Sequence, residues 1–503
     1  MRGRGVGTRY NTAQDANLSI RRAPEALVTK FHSRVFWCVL AALLLLSRAA
    51  QINILWADED YHLAVGLQTL LGKVFYRDIW YDKPPLNALV MAAFGAWPGW
   101  PLRLLSVALE LGGAAAAFRF ASRVWSDREG YLAAAGFVFF HVFYFTYTVM
   151  PLEPDTFMIL PHLLAVYWAW SKRPLLAGFA AGIAFLFNTK GLFVLLACFV
   201  FIPEGWLALG AGFAAPCVAM GGWLVSQGAL QGYFDQVWRW GMLYAANPQA
   251  EPASGPLLRL ASWLTFHSAL LLGAGFALAR IPDRVLRWRL AAWVGVALLA
   301  VSVGWRFPPR YMNQLFPPLL ILGSAGVAVL LARRSWWQVV LAASLIVPAV
   351  RFTPRYALLL AEDWRGQDHD WRDATMDRES RDAAAIVNKL ARSGDTIYIW
   401  GYRPNVVVYT RLPIVGSMWE SQPVTGIPAD RHLSVEIPLD AAWAAHNQAE
   451  LLRTRPTFIV DGLSSYNIEL DIFKYPRMAE WMKPYCNVGK AGRGMTVYRL
   501  CDP

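Results

Sequence analysis

From Tyr76 to Trp97 the chain reads YRDIWYDKPPLNALVMAAFGAW. The second half, Leu86 to Trp97, is apolar, but it meets Pro98 and Pro101 after about a dozen residues, well short of the roughly 20 that a bilayer-spanning helix needs. It is therefore read as a re-entrant or interfacial segment and not as a crossing. That decision sets the parity of everything downstream. Counted as a crossing, it would place Glu153 and Asp155 on the face opposite Asp58. Left uncounted, it brings both acidic clusters to one side.

Composition says that a membrane is the setting. Of 503 residues, 56% are hydrophobic and 16% charged, against about 25% charged in soluble proteins. Apolar runs such as Val35 to Ser47, Leu132 to Val149 and Leu319 to Ala332 recur until about residue 350. The net charge of +12 does not point to nucleic acid. Arg2, Arg4, Arg9, Arg21, Arg22, Lys30 and Arg34 precede the first apolar run, the asymmetry that marks a cytoplasmic end. Arg48 stands where a small residue should precede a signal-peptide cut, so the first run reads as a retained anchor. Counting onward gives about eleven spans. The basic loops with Arg123 and Arg128, Lys172 and Arg173, Arg280 to Arg289, and Arg333 and Arg334 then all fall inside.

The expected organisation has three parts: a basic cytoplasmic segment (1–34), an all-α polytopic membrane domain carrying the chemistry (35–351), and a small extracytoplasmic α/β domain (352–503). In the last part a helical pattern at 381–391 alternates with β-rich runs at 396–400, 406–410 and 457–460. Cys38, Cys198 and Cys217 read as small apolar residues. Cys486 and Cys501 form a disulfide if the tail meets an oxidising compartment, and two cysteines alone leave that open.

The ionisable residues cluster at the outer face. Asp58, Glu59 and Asp60 follow the first span, and Asp58 is the first choice for a general base. His62, four residues on, would share its helical face and orient it. The alternative is a solvated helix N-terminus whose acids complement the dipole. Glu153 and Asp155 flank Pro154, as a second acidic loop or with Asp155 as an N-cap. Two such loops could divide base and acceptor-positioning roles or hold a divalent cation. The i, i+2 spacing of Asp58 and Asp60 on a helix is poor for a metal, so the metal-free version is favoured. Tyr81 and Lys83 precede Pro84 and Pro85, where an ammonium could meet a lipid phosphate or simply snorkel. Arg306 and Arg310 in RFPPRY, and Lys190 before Gly191, add cationic turns suited to a leaving phosphate. Arg48, inside the outer part of the first span, is expected to face the same cavity. The aromatic stretch with Trp238, Arg239 and Trp240 reads as an interfacial belt, and His141 and His162 as core residues.

The ordered set of Asp58-Glu59, Tyr81 to Leu86, Glu153 to Asp155 and Thr189 to Gly191 resembles the GT-C superfamily of glycosyltransferases. It looks like the branch of protein O-mannosyltransferases and lipid A aminoarabinose transferases (glycosyltransferase family 39 type), over about residues 35 to 350. Leu192 departs from the proline usual in that family. The resemblance implies an inverting transferase that takes its sugar from a polyprenyl-monophosphate donor; no cofactor is expected, with a divalent metal as the less favoured alternative. Asp58 would be the base, with Glu59 beside it. Asp155 would support the acceptor or the site geometry, and Lys83 with Tyr81 would bind the donor phosphate. Arg306 and Arg310 are similar to the family's aromatic-basic turn. The acceptor would be a glycan, lipid or protein, and the site would face the periplasm from a bacterial inner membrane. Alternatives are a polymerase or ligase using diphosphate-linked glycans, and a non-enzymatic lipid-carrier transporter or flippase. A transporter would place charges near the midplane on inverted repeats, whereas these residues gather at one face and no repeat is evident.

Overall fold

The computed structural model describes residues 30–246, 254–333, 336–365, 371–427, 438–492 and 494–501. Most of the expected cytoplasmic segment (1–29), Arg334 of the last basic loop and residues 366–370 lie outside them. The membrane part opens with α1 (Lys30–Ala49), α2 (Glu59–Leu70), α3 (Leu86–Ala93), α4 (Trp100–Val124), α5 (Asp127–Val142) and α6 (Phe145–Val149). It continues through α7 (Pro154–Trp170), α8 (Pro174–Phe187), α9 (Gly191–Phe201), α10 (Trp206–Ser226), α11 (Leu230–Tyr233) and α12 (Trp240–Ala246), the last two joined by a π-helical turn (Phe234–Arg239). Then come α13 (Ser254–Phe266), α14 (Ser268–Arg280), α15 (Arg284–Ser302), a 3-10 turn (Pro309–Gln314), α16 (Phe316–Ala332) and α17 (Trp336–Arg365).

Four described helical stretches are long and apolar enough to cross a membrane: Trp100–Val124, Pro203–Ser226, Arg284–Ser302 and Trp336–Glu362. The pair α13 and α14, bent by 74°, makes a fifth if it is one broken span, and α8, α9 and α16 are shorter apolar helices. The number of crossings expected from the sequence, about eleven, is larger than this set. The segment that fixes the parity is as short as its sequence requires. Helix α3 has eight residues, about 12 Å of rise. It lies close against α2, where a Cβ on Gly66 would meet Met91 Cβ and Ala92 N at 2.9 Å. Helices α14 and α16 approach even more closely, through Gly273 and Gly326, the small-residue contact that lets helices pack in lipid. Proline stands in the first turn of α4, α7, α8 and α16, where its fixed φ suits the helix and its missing N–H is not needed.

Helix α17 runs through residue 351 without a break, so the expected boundary between the membrane and polar parts falls inside a helix. Beyond it come α18 (Arg372–Leu390), β1 (Ile397–Trp400), α19 (Pro404–Thr410), α20 (Gln422–Thr425), α21 (Ala441–Leu452), β2 (Phe458–Asp461), α22 (Pro476–Met482), β3 (Tyr485–Ala491) and β4 (Met495–Leu500). The sheet order is β1-β2-β4-β3, with β1 parallel to β2 and the other pairs antiparallel. The expected strand at 406–410 is instead α19. Pro404 starts it, Arg411 ends it in the left-handed region at φ 55°, and Val406, Val407 and Val408 are all buried. An apolar run buried on every side has no period to separate strand from helix. Cys486 and Cys501 are joined in a disulfide across the β3–β4 hairpin, with Cα atoms 5.3 Å apart.

The polar domain seats on the segment between α1 and α3. Helix α19 packs on α2, where Gln68 donates to Leu412 O (2.9 Å) and accepts from Ile414 N (3.0 Å). Asn405 Nδ2 lies 3.4 Å from Leu55 O, three residues before Asp58, and 3.2 Å from Asp377 Oδ1. Burial pushes the Asp377 carboxyl up to about 6, although Arg381 pairs with it at 3.1 Å and Tyr409 donates to it at 2.7 Å.

Candidate active site

Asp58 caps α2 from a backbone at φ 64°, sparsely populated for a residue with a Cβ and a recurrent mark of functional positions. Its carboxylate forms an ion pair with Arg310. Arg310 belongs to the 3-10 turn that Pro308 and Pro309 stiffen, and this turn reaches three ways. Arg310 goes to Asp58. The Tyr311 ring lies 3.5 Å from the Lys190 ammonium. Asn313 Nδ2 donates to Glu153 Oε1 at 3.0 Å. One short turn thus gathers the first acidic loop, the second acidic loop and a cationic turn, which parity had placed on one face. Asp155 interacts electrostatically with both Lys190 and Lys83, so Lys83 belongs to the same group.

The loop that delivers Lys83 is fixed nearly atom by atom. Trp80 N donates to Ser417 O (2.8 Å), and Trp80 O accepts from Trp419 Nε1 (3.0 Å). Tyr81 N donates to Gln236 Oε1 (2.8 Å), Asp82 N to Tyr61 OH (3.2 Å), and Tyr76 OH to Lys83 O (2.6 Å). Lys83 itself pairs with Asp82 at 2.9 Å and remains about a third exposed (32%). Tyr81 is enclosed, its hydroxyl 2.7 Å from His62 Nδ1. This corrects two expectations. His62 meets Asp58 only through the backbone, N–H to O at 3.1 Å, and its ring serves Tyr81. Tyr81 is committed to holding the loop and is not open to a phosphate. The aromatic stretch differs too: Trp240 is buried 5.6 Å from Trp80, with Trp443 also against that ring, so it braces the loop instead of facing lipid.

Glu59, next to Asp58, has a different fate. It is fully buried, bonded by Arg103 Nη1 at 2.9 and 3.1 Å and by Leu152 N at 2.7 Å. Arg103 also donates to Gln51 O (3.1 Å) and Ile54 O (2.6 Å). The pair ties the Asp58 loop to the residue preceding Glu153. Arg48, expected to face the cavity, is sealed within the helices. It pairs with Glu110 and donates to Ser106 Oγ (3.0 Å) and His141 O (3.0 Å). An arginine at that depth needs a counter-charge, and Glu110 supplies it. Arg306 lies over the Tyr244 ring at 4.1 Å and bonds to Tyr244 O, beside Arg310 in sequence but turned to a different neighbour.

The sequence reading assigned no role to Arg103, Glu110, Tyr311, Asn313, Tyr147 or Trp419. Glu110 carried a usable signal, a carboxylate within the apolar run of α4. The others are ordinary residue types that only the fold brings to the site. Among the described residues no group of three or more His, Cys, Asp or Glu is placed to hold a metal ion.

Residues 82–219 match the family model described as dolichyl-phosphate-mannose-protein mannosyltransferase. No curated protein matches the chain by sequence. Among solved structures, ArnT from Cupriavidus metallidurans in the apo state superposes with a TM-score of 0.60 at 13% identity, covering 94% of this chain and 99% of that one. The same protein bound to undecaprenyl phosphate gives 0.60 and 13%, with 94% and 100% covered. The chain therefore has the ArnT-like GT-C fold, and its residues 82–219 carry the match to the dolichyl-phosphate-mannose-protein mannosyltransferase family.

Proposed function

We propose that this protein is an inverting glycosyltransferase that moves a sugar from a polyprenyl-monophosphate donor to an acceptor on the extracytoplasmic face of a bacterial inner membrane. The observation that carries the proposal is the Pro309–Gln314 turn, which meets Asp58 through Arg310, Lys190 through Tyr311 and Glu153 through Asn313. The similarity to ArnT, which has been solved bound to undecaprenyl phosphate, supports the donor class. The Cys486–Cys501 disulfide supports an oxidising compartment for the polar domain.

In this reading the acceptor O–H gives its proton to Asp58 as its oxygen attacks the anomeric carbon. The bond from that carbon to the phosphate oxygen breaks on the opposite face, so the configuration inverts. The electron pair leaves with the polyprenyl phosphate, whose charge Lys83 and Arg310 take up. Without donor, Arg310 occupies the Asp58 carboxylate. Arriving phosphate competes for Arg310 and leaves Asp58 available as base. Glu59, Tyr81 and His62 act as supports, and no cofactor is assigned. The acceptor is a glycan, lipid or protein hydroxyl.

The test uses purified protein in detergent with a panel of polyprenyl-phosphate sugars. Wild type should release polyprenyl phosphate from at least one donor, and Lys83→Ala should raise the donor KM by about tenfold or more. Failure of wild type both to bind polyprenyl phosphate and to consume any donor would remove the proposal in favour of a transporter or a diphosphate-lipid enzyme.

A further inference from the structure

The stretch from α6 into the first turn of α7 carries buried oxygens that the fold leaves without hydrogen-bond partners: Tyr147 OH, Glu153 Oε2, Asp155 Oδ1 and Thr156 Oγ1. Lys190 Nζ, facing the same acids, is another such atom. Tyr147, Glu153 and Asp155 are each at most 2% exposed. These groups are not loosely placed. Asn313 holds the other oxygen of Glu153 at 3.0 Å. The Tyr147 ring stacks on His141 at 4.1 Å, and its backbone carbonyl accepts from Arg48 (3.4 Å) and Gln51 (3.1 Å). Its hydroxyl is thereby held within electrostatic range of both Glu153 and Asp155. Buried polar groups are ordinarily satisfied, so rigid ones left open on neighbouring residues indicate a ligand that satisfies them.

The donor and acceptor inventory restricts that ligand. The carboxylate oxygens only accept, Lys190 only donates, and the Tyr147 and Thr156 hydroxyls do both. A phosphate or carboxylate would be repelled by the two acids, and the described residues offer no third acidic, His or Cys ligand to make a metal site. A ring bearing several hydroxyls both donates and accepts, and so matches the chemistry of every one of these groups. The position also fits, since Asn313 and Arg310 stand on the same short turn, putting these oxygens beside the Asp58 and phosphate-binding cations.

We propose that Tyr147, Glu153 and Asp155, with Lys190 and Thr156, form the subsite for the sugar ring of the donor, and that it selects neutral or amine-bearing sugars against those carrying a carboxylate. The proposal rests on the transferase reading for the identity of the lipid.

The test compares binding of bare polyprenyl phosphate, a polyprenyl-phosphate hexose and a polyprenyl-phosphate hexuronate to wild type, Glu153→Gln and Tyr147→Phe, alongside donor consumption. In wild type the hexose should add about tenfold affinity over the bare lipid, and both variants should lose most of that increment with bare-lipid affinity unchanged. Glu153→Gln should bind the hexuronate more tightly than wild type does, a gain that a damaged fold cannot produce. The proposal is overturned if the hexose adds nothing in wild type, or if the variants lose bare-lipid affinity equally. Sugar-dependent binding without consumption of any donor would sink the transferase reading and leave the subsite standing. Consumption with an increment that survives both substitutions would do the reverse.

Discussion

Asp58 and Glu59 are neighbours in the chain, yet they belong to two kinds of ion pair. Arg103–Glu59 and Arg48–Glu110 are sealed from solvent and tied to several further backbone and side-chain groups. Arg310–Asp58 and Lys83–Asp82 keep their cations partly exposed, at 28% and 32% of the side chain. A desolvated charge held from several sides cannot release its partner without a large penalty, so it builds structure. A cation still touching water loses little on exchanging one anion for another, so it can meet a phosphate. Under the proposed function, burial of the pair, and not the presence of charge, separates scaffold from chemistry.

The contrast is broken first at the sealed pairs. Glu59→Ala would leave the Arg103 guanidinium buried without its counter-charge, at a cost of about 3–5 kcal/mol. The expected result is a strong loss of thermal stability in detergent or loss of folded protein, and a wild-type melting curve would show that the pair is no brace. Replacing both members of the other pair, Arg48→Met with Glu110→Leu, should be far less harmful than either single change. The coupling from a double-mutant cycle should lie on the order of 0.5–3 kcal/mol.

A smaller effect comes from Asp377, which links the polar domain to the Asp58 loop through Asn405. Its folded carboxyl is pushed up to about 6 by burial, against about 3.9 in an unfolded chain. Its stabilising contribution is therefore complete below about pH 4 and is lost as pH rises toward 6, because unfolding in that window releases a proton. Comparing melting at pH 4.5 and pH 7, Asp377→Asn should flatten this part of the profile, and an unchanged slope would rule Asp377 out as its source. The smallest change in stability is expected at the open pair. Arg310→Ala should cost less than Glu59→Ala, because the Arg310 side chain is 28% exposed and water can take its place beside Asp58, while turnover falls on the order of 10²–10³. A variant that melts early but turns over normally would reverse the distinction.

Features that depend on length and local charge were legible in the sequence. The brevity of Leu86 to Trp97 follows from counting apolar residues, and Asp58, Glu153, Lys190, Lys83 and Arg310 stand out as charges at the ends of apolar runs. What was hidden depends on orientation. Nothing local says that Asp58 turns to Arg310 while Glu59 turns inward, because that is set by the φ of 64° at Asp58 and by Arg103 arriving from another helix. Arg48 was singled out correctly as unusual but assigned to the cavity, since its partner Glu110 lies 62 positions away. Val406 to Val408 carried no period by which to choose helix over strand, and the docking of Ser417 and Trp419 on Trp80 links residues more than 300 apart.

The most direct measurement of whether Asp58 is the base is a pair of titrations on wild type and Asp58→Asn: polyprenyl-phosphate binding at equilibrium, and single-turnover release of polyprenyl phosphate from a consumed donor. Expected is lipid affinity at or above wild type, because Arg310 is freed from its carboxylate, together with a release rate lower by about 10²–10⁴. An Asp58→Asn enzyme that releases polyprenyl phosphate within a fewfold of the wild-type rate would contradict the assignment, and the proton would have to go elsewhere.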